Sequence, residues 1–379
     1  MSERQIVVVG AGQSGLSAAL ALKDLGLDPL VIEKADAVAS AWRGRYDRLR
    51  LNTWGRWSHL PDRPFRKGTA KFPSRDDLVD HLEHHASEAG LDILLGTTAE
   101  RIDREGDRWV VRTDGEAFEA PHVVVATGYE GVPFVPDWPG RQAFAGELIH
   151  AAEYRRPAPY AGKGALVVGP GCTGMEIAYD LAEGGAAKVW LAARTPPNIM
   201  LREGPAGIPG DVIGVALLRA PVRLADGVAR FGSRMDVGDL SEHGLPVPEE
   251  GVFSRMYRLG VAPAIIDKEI LDAIKSGAIE VVRGVESLAS RQVRLADGAT
   301  VEPDVVICAT GYRRGLEPLV GHLDVLVDRG LPRALGTEPA APGLRFIGYV
   351  PRPGGLGYMA KEAKRAAKAI KRELAAVPA

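Results

Sequence analysis

The stretch Ile6-Val7-Val8-Val9-Gly10-Ala11-Gly12-Gln13-Ser14-Gly15 decides the fold. A short apolar strand runs into a G-x-G-x-x-G turn, and the Ala- and Leu-rich residues up to Lys23 have helical spacing. Such a turn lets the backbone approach a pyrophosphate, whose charge is met by the free N–H groups and the positive end of the helix dipole. The pattern recurs at Ala165-Leu166-Val167-Val168-Gly169-Pro170-Gly171-Cys172-Thr173-Gly174, with a second helical stretch from Met175 to Leu181.

Each copy is followed by the same downstream grammar. Trp109 to Arg112 turns at Asp114-Gly115 and returns through Val123-Val124-Val125 into Ala126-Thr127-Gly128-Tyr129. Val293 to Leu295 turns at Asp297-Gly298 and returns through Val305-Val306-Ile307 into Ala309-Thr310-Gly311-Tyr312 at the same offset. Matched order, spacing and strand character predict an α/β chain made of two Rossmann-like dinucleotide-binding domains.

The ends of the second strands separate the two copies. Leu30-Val31-Ile32 ends in Glu33-Lys34, about 20 residues past the first turn, where a carboxylate accepts the hydroxyls of an adenosine ribose. The equivalent Val189-Trp190-Leu191-Ala192-Ala193 ends in Arg194-Thr195, and a guanidinium there suits a 2′-phosphate. The first site is therefore assigned to FAD and the second to NADPH. Candidate cofactor-binding residues are Gly10, Gly12, Gln13, Ser14, Gly15, Glu33 and Lys34 in the first copy, and Gly169, Gly171, Cys172, Thr173, Gly174, Arg194 and Thr195 in the second. Thr127, Thr310 and Gly311 of the Ala-Thr-Gly segments complete them.

Between the copies, Pro133, Pro136, Pro139, Pro157 and Pro159 mark a crossing between domains. The expected layout is a discontinuous FAD domain (1–157 and 291–379) with an NADPH domain (158–290) inserted in it. The 379 residues exceed one typical domain. A composition of 46% hydrophobic and 25% charged residues excludes a disordered chain, and no apolar run is long enough to cross a bilayer. With 47 basic and 49 acidic residues the net charge is −2, which points away from nucleic acid or membrane and toward a small-molecule partner. Two distant cysteines, Cys172 and Cys308, exclude dithiol chemistry and a cysteine zinc site, and fit a reducing cytosol. The opening residues hold no h-region of a signal peptide.

One further motif carries a resemblance. Phe144-Ala-Gly146-Glu-Leu-Ile-His150-Ala-Ala-Glu-Tyr154 matches the F-x-G-x-x-x-H-x-x-x-Y/F pattern, and the chain resembles the flavin-containing monooxygenases, above all their YUCCA-like branch. The likeness spans both glycine loops, both Ala-Thr-Gly segments, Trp42 to Pro61, Ile265 to Val281 and the ending Gly343 to Gly348. Baeyer–Villiger monooxygenases would carry Trp at Tyr154 and form the alternative class, together with a flavoprotein reductase that passes electrons to a protein or quinone. Where plant YUCCA-type chains read Leu-His-Leu-Pro, this one reads Leu51-Asn52-Thr53-Trp54.

The resemblance implies an enzyme that reduces FAD with NADPH and activates O₂ as a C4a-(hydro)peroxyflavin. It would then oxygenate a small organic substrate at S or N, or decarboxylate a 2-oxo acid such as indole-3-pyruvate. It places the catalytic candidate Asn52 at the flavin's reactive edge, and runs Trp42, Arg43 and Tyr46 along the isoalloxazine ring. Gly355 and Leu356, at the head of a helix entered from Pro353 and running to about Leu374, would face the pyrimidine end of the flavin. His150 at the domain junction reads as a linker-fixing hydrogen-bonding residue. His81, His84 and His85, on a helix started by Ser74, Asp76 and Asp77, read as a solvated face, and no metal is expected.

Overall fold

The computed structural model describes residues 2–204, 207–350 and 354–376. Two five-stranded parallel sheets organise it, and both are built around a glycine-loop strand. In the first, Ile6–Val9 lies between Leu30–Ile32 and His122–Val125, with Asp92–Leu94 and Leu344–Phe346 at the edges. In the second, Gly164–Val168 lies between Lys188–Ala193 and Val305–Cys308, with Glu280–Arg283 and Glu147–His150 at the edges. The central strands are fully buried, as parallel strands covered on both faces must be.

The helices Gln13–Lys23 and Cys172–Glu183 follow the two turns directly. Both turns solve the same steric problem. Gly10 and Gly169 have φ of +104° and +114°, and a Cβ on either would lie 2.6 Å from the Ala126 carbonyl oxygen or 2.4 Å from that of Ala309. Each Ala-Thr-Gly segment thus packs on its own glycine turn, which explains why the two motifs travel together.

Both Asp-Gly hairpins form: Arg108–Thr113 pairs with Phe118–Ala120, and Val293–Leu295 with Thr300–Val301. The second sheet draws strands from both sides of the expected 158–290 segment. Glu147–His150 and Val305–Cys308 are strands of the second sheet, so that sheet begins before residue 158 and ends after residue 290. The chain crosses between the sheets twice, and the crossings pair antiparallel, Tyr312 with Pro133 and Arg313 with Val132.

The closing helix is Gly355–Ala376, and its Ala363, Ala366, Ala367 and Ile370 join the core of the first sheet. Pro353 lies outside the described residues. Among the described residues, no helix is long and apolar enough to cross a membrane.

The histidine face needs correction. Ser74 caps the helix Arg75–Glu88 in a capping box with Asp77, as the sequence predicts. His81 is nevertheless buried, stacked 4.3 Å from Phe65, and its Nε2 accepts the Leu60 N–H at 3.3 Å. Leu78, Val79, Leu82 and Ala86 carry it into the core. Only His84, His85 and Glu88 remain together at the surface.

Burial, reinforced by His85, His59 and His84, holds the His81 imidazole down at about 3. The unfolded chain protonates it near 6.5, so the unfolded state binds the extra proton between these values and stability falls as pH drops through that window. Urea unfolding at pH 7 and pH 5 checks this. His81→Gln should lose less stability between the two than the wild type, by about 1 kcal/mol after solvent screening; equal losses would reject the assignment.

Candidate functional site

The first glycine loop presents free backbone donors to an open space. The helix Gln13–Lys23 has no side-chain N-cap and no acidic residue in its first turn, and a Cβ on Gly12 would meet nothing within 4 Å. Glu33 is buried beside it, accepting the N–H groups of Ala11 at 2.7 Å and Ala35 at 3.0 Å and the Ser40 hydroxyl at 3.3 Å. Gln13 is 4% exposed, yet neither its amide nitrogen nor its amide oxygen has a partner. Leaving such a group buried and unsatisfied costs about 1–3 kcal/mol unless a ligand completes it.

Other predicted residues of this site are placed differently. Ser14 Oγ turns to Met359 Sδ at 3.2 Å, and Lys34 is exposed. The Arg43 guanidinium pairs with Glu83 and donates to the Val38 carbonyl. Tyr46 packs in the core of the second sheet, 6.3 Å from Tyr154, and donates to Glu176 at 2.6 Å. Trp42 remains half-buried against the core of the first sheet. Thr127 is joined to the Tyr349 hydroxyl through its N–H at 3.1 Å and its Oγ1 at 2.8 Å.

The second glycine loop opens onto a cleft of about 350 Å³. Gly169, Gly171, Arg194, Thr195 and Thr310 line it, so five of the predicted residues meet there. Arg255, from the helix Val252–Leu259, lines the same cleft and gives it a second guanidinium. It stands 61 positions beyond Arg194 (255 − 194), and no spacing in the sequence announces it. The Cys172 sulfur accepts the Ile265 N–H at 3.2 Å, and burial pushes the thiol up to about 11, which disfavours the thiolate.

Asn52 lies where the two halves of the chain meet. Its Oδ1 accepts Arg202 Nε at 3.3 Å and Nη2 at 3.1 Å; a guanidinium only donates, so the oxygen faces Arg202 and the amide N–H groups are left for a ligand. Arg202 is itself 3% exposed and paired with Glu176 and, at 2.6 Å, with Asp267. Glu176 lies on the helix of the second glycine loop, so one buried network links Tyr46, Glu176, Arg202 and Asn52. The sequence signal for it was a carboxylate among the apolar residues of that helix. The first turn of the helix Gly355–Ala376 abuts the same loop: a Cβ on Gly357 would lie 1.9 Å from the Trp57 carbonyl oxygen.

His150 accepts the Ala152 N–H on Nδ1 at 3.1 Å and donates from Nε2 to the Gly311 carbonyl at 3.1 Å. Both nitrogens are used, and burial lowers its affinity for a proton. Tyr154 donates to Asp180 at 2.8 Å in full burial. The motif residues are structural ties.

These features define an α/β oxidoreductase, and the model of the pyridine nucleotide-disulphide oxidoreductase family matches residues 7–200. An indole-3-pyruvate monooxygenase of the YUCCA group from Oryza sativa subsp. japonica is 40% identical over 312 residues, covering 81% of this chain and 76% of that protein. The chain belongs to the flavin-dependent monooxygenases, on their YUCCA-like branch. It is thus an oxidoreductase with FAD and NADPH as cofactors. A double mutant of a flavin monooxygenase from Stenotrophomonas maltophilia superposes with a TM-score of 0.76 at 23% identity, covering 99% of this chain and 100% of that one. A bacillithiol disulfide reductase from Bacillus cereus gives 0.71 at 18% identity, covering 98% and 100%, so the fold by itself is shared with reductases.

Proposed function

We propose that the first glycine loop holds FAD and the second NADPH, in two Rossmann-like domains that exchange chain at Val132–Pro133 and Tyr312–Arg313. The observation that carries this is the opposite polarity of the two strand ends. Glu33 stands beside the first loop, whereas Arg194, Thr195 and Arg255 line the cleft of the second. A carboxylate accepts ribose hydroxyls, and paired guanidinium groups take a 2′-phosphate. The unsatisfied Gln13 amide and the open space over Gly12 fit a dinucleotide at the first loop.

Bound FAD would supply the redox chemistry, namely hydride acceptance from NADPH and activation of O₂, with one oxygen atom going to substrate and the other to water. The chain's own residues bind, orient and shield. Arg202 fixes Asn52 so that its amide N–H groups face the ligand, a positioning role that needs no proton transfer. His150 has no free nitrogen with which to move a proton. We assign the substrate to the aromatic 2-oxo acids, on the name of the rice relative, and the reaction to a reducing cytosol that keeps Cys172 and Cys308 as thiols.

The test is turnover of indole-3-pyruvate under isotopically labelled O₂. We expect one labelled oxygen in the decarboxylated acid and one NADPH consumed per product. Asn52→Ala should lower product formation on the order of 10- to 100-fold and divert NADPH to hydrogen peroxide. NADPH oxidation with no label in any product, from 2-oxo acids, sulfides or amines alike, would replace this reading with a reductase.

A further inference from the structure

Nine of the thirteen large apolar side chains exposed among the described residues fall between Ile208 and Val261. Clustering of that kind marks a surface that is covered in use. Its centre is the helix Val222–Asp236, where Leu224, Val228, Phe231 and Met235 are 59%, 46%, 68% and 73% exposed. At 100° per residue these four positions fall within an arc of about 60°. The rest of the inner surface of the helix is already used: Ala225, on the flank, is buried, and on the opposite side Ser233 Oγ donates to the Ile199 carbonyl at 3.3 Å, and Asp226 accepts from the Phe253 N–H at 2.7 Å and the Ser254 hydroxyl at 2.5 Å. The stripe is therefore surplus to the fold.

A third face says what covers it. Arg223, Arg230 and Arg234 fall within about 40° of one another, roughly 110° round the helix from the stripe. Arg230 spends one N–H on the Glu249 carbonyl; Arg223 and Arg234 have no protein partner among the described residues. An apolar stripe flanked by a row of arginines matches the boundary between lipid acyl chains and anionic headgroups. A second copy of the chain fits less well. One stripe four residues long falls short of the roughly 800 Å² per partner of a stable interface, and antiparallel two-fold pairing would put both arginine rows on one side.

We propose that the helix Val222–Asp236 docks the enzyme peripherally on an anionic lipid surface, with Leu224, Val228, Phe231 and Met235 entering the acyl boundary and Arg223, Arg230 and Arg234 meeting the headgroups. The net charge of −2, from which no membrane partner is expected, conceals this local arrangement. Asp226 ties the docking helix to the helix Val252–Leu259, whose Val252 and Arg255 line the nucleotide cleft, so the lipid-facing surface backs onto the reaction site.

The experiment is co-sedimentation of the FAD-loaded enzyme with vesicles of phosphatidylglycerol and phosphatidylcholine, against phosphatidylcholine alone. Binding to the mixed vesicles should be on the order of 100-fold tighter and should weaken as salt is raised. The double variant Phe231→Ser/Met235→Ser should lose vesicle binding while NADPH oxidation in buffer is unchanged, and Arg223→Gln/Arg234→Gln should lose the preference for anionic lipid. The proposal is overturned if neither vesicle binds the wild type. It is equally overturned if sedimentation velocity shows a dimer that Phe231→Ser/Met235→Ser separates, since the occupant is then a second copy.

Discussion

Gly12→Ala should yield a folded protein that binds flavin more weakly, whereas Gly15→Ala should damage the fold itself. A methyl group on Gly12 meets nothing in the protein and projects into the space over the helix N-terminus. It displaces a pyrophosphate from the charge-assisted N–H groups, so FAD affinity should fall on the order of 100-fold. The melting temperature of the apoprotein should stay put. In Gly15→Ala the new carbon lies 1.8 Å from the Gly10 carbonyl oxygen, a backbone atom that no rotamer change can move. Overpacking of this kind costs about 3 kcal/mol or more, and the apoprotein should melt several degrees lower. Flavin fluorescence titration of each apoprotein and thermal unfolding separate the two effects. Wild-type FAD affinity in Gly12→Ala would remove FAD from this loop.

Charge reversal at the second strand end should change which nicotinamide cofactor is used. In Arg194→Glu the carboxylate faces the site assigned to the 2′-phosphate, beside Thr195 and Arg255. Loss of a charge-assisted contact and gain of repulsion should raise the KM for NADPH on the order of 100-fold and leave that for NADH near its starting value. Arg255→Ala should raise the NADPH KM by about tenfold, because Arg194 remains. Anaerobic flavin reduction at varied cofactor concentration reads this directly. Equal loss with both cofactors would move the 2′-phosphate elsewhere in the cleft.

Much of this architecture was legible because its causes are local. A strand, a glycine turn and a helix start are set by a few consecutive residues, and so are the hairpins at Asp114-Gly115 and Asp297-Gly298. Parallel pairing is not local. Nothing in Val305–Cys308 states that its neighbour is Gly164–Val168, 137 residues earlier (305 − 168), so the make-up of the second sheet is not legible from the sequence. Side-chain direction was lost in the same way: Arg43, Tyr46 and His81 are each decided by a partner that packs from another element, Glu83, Glu176 and Phe65. Arg202 was missed because a buried cation has no spacing rule; only its three acceptors give it away.

The paired crossings set a mechanical limit. One strand joining two bodies is a swivel, free to twist about its own axis. Here two run side by side, held by the ladder between Val132–Pro133 and Tyr312–Arg313 and pinned by the His150 bond to Gly311. A two-stranded strap resists torsion and yields in one bending direction, across its thin dimension. Twisting one sheet against the other would have to break that ladder and, with it, the bonds from Arg202 to Asn52 and from Tyr46 to Glu176 that join the same two halves.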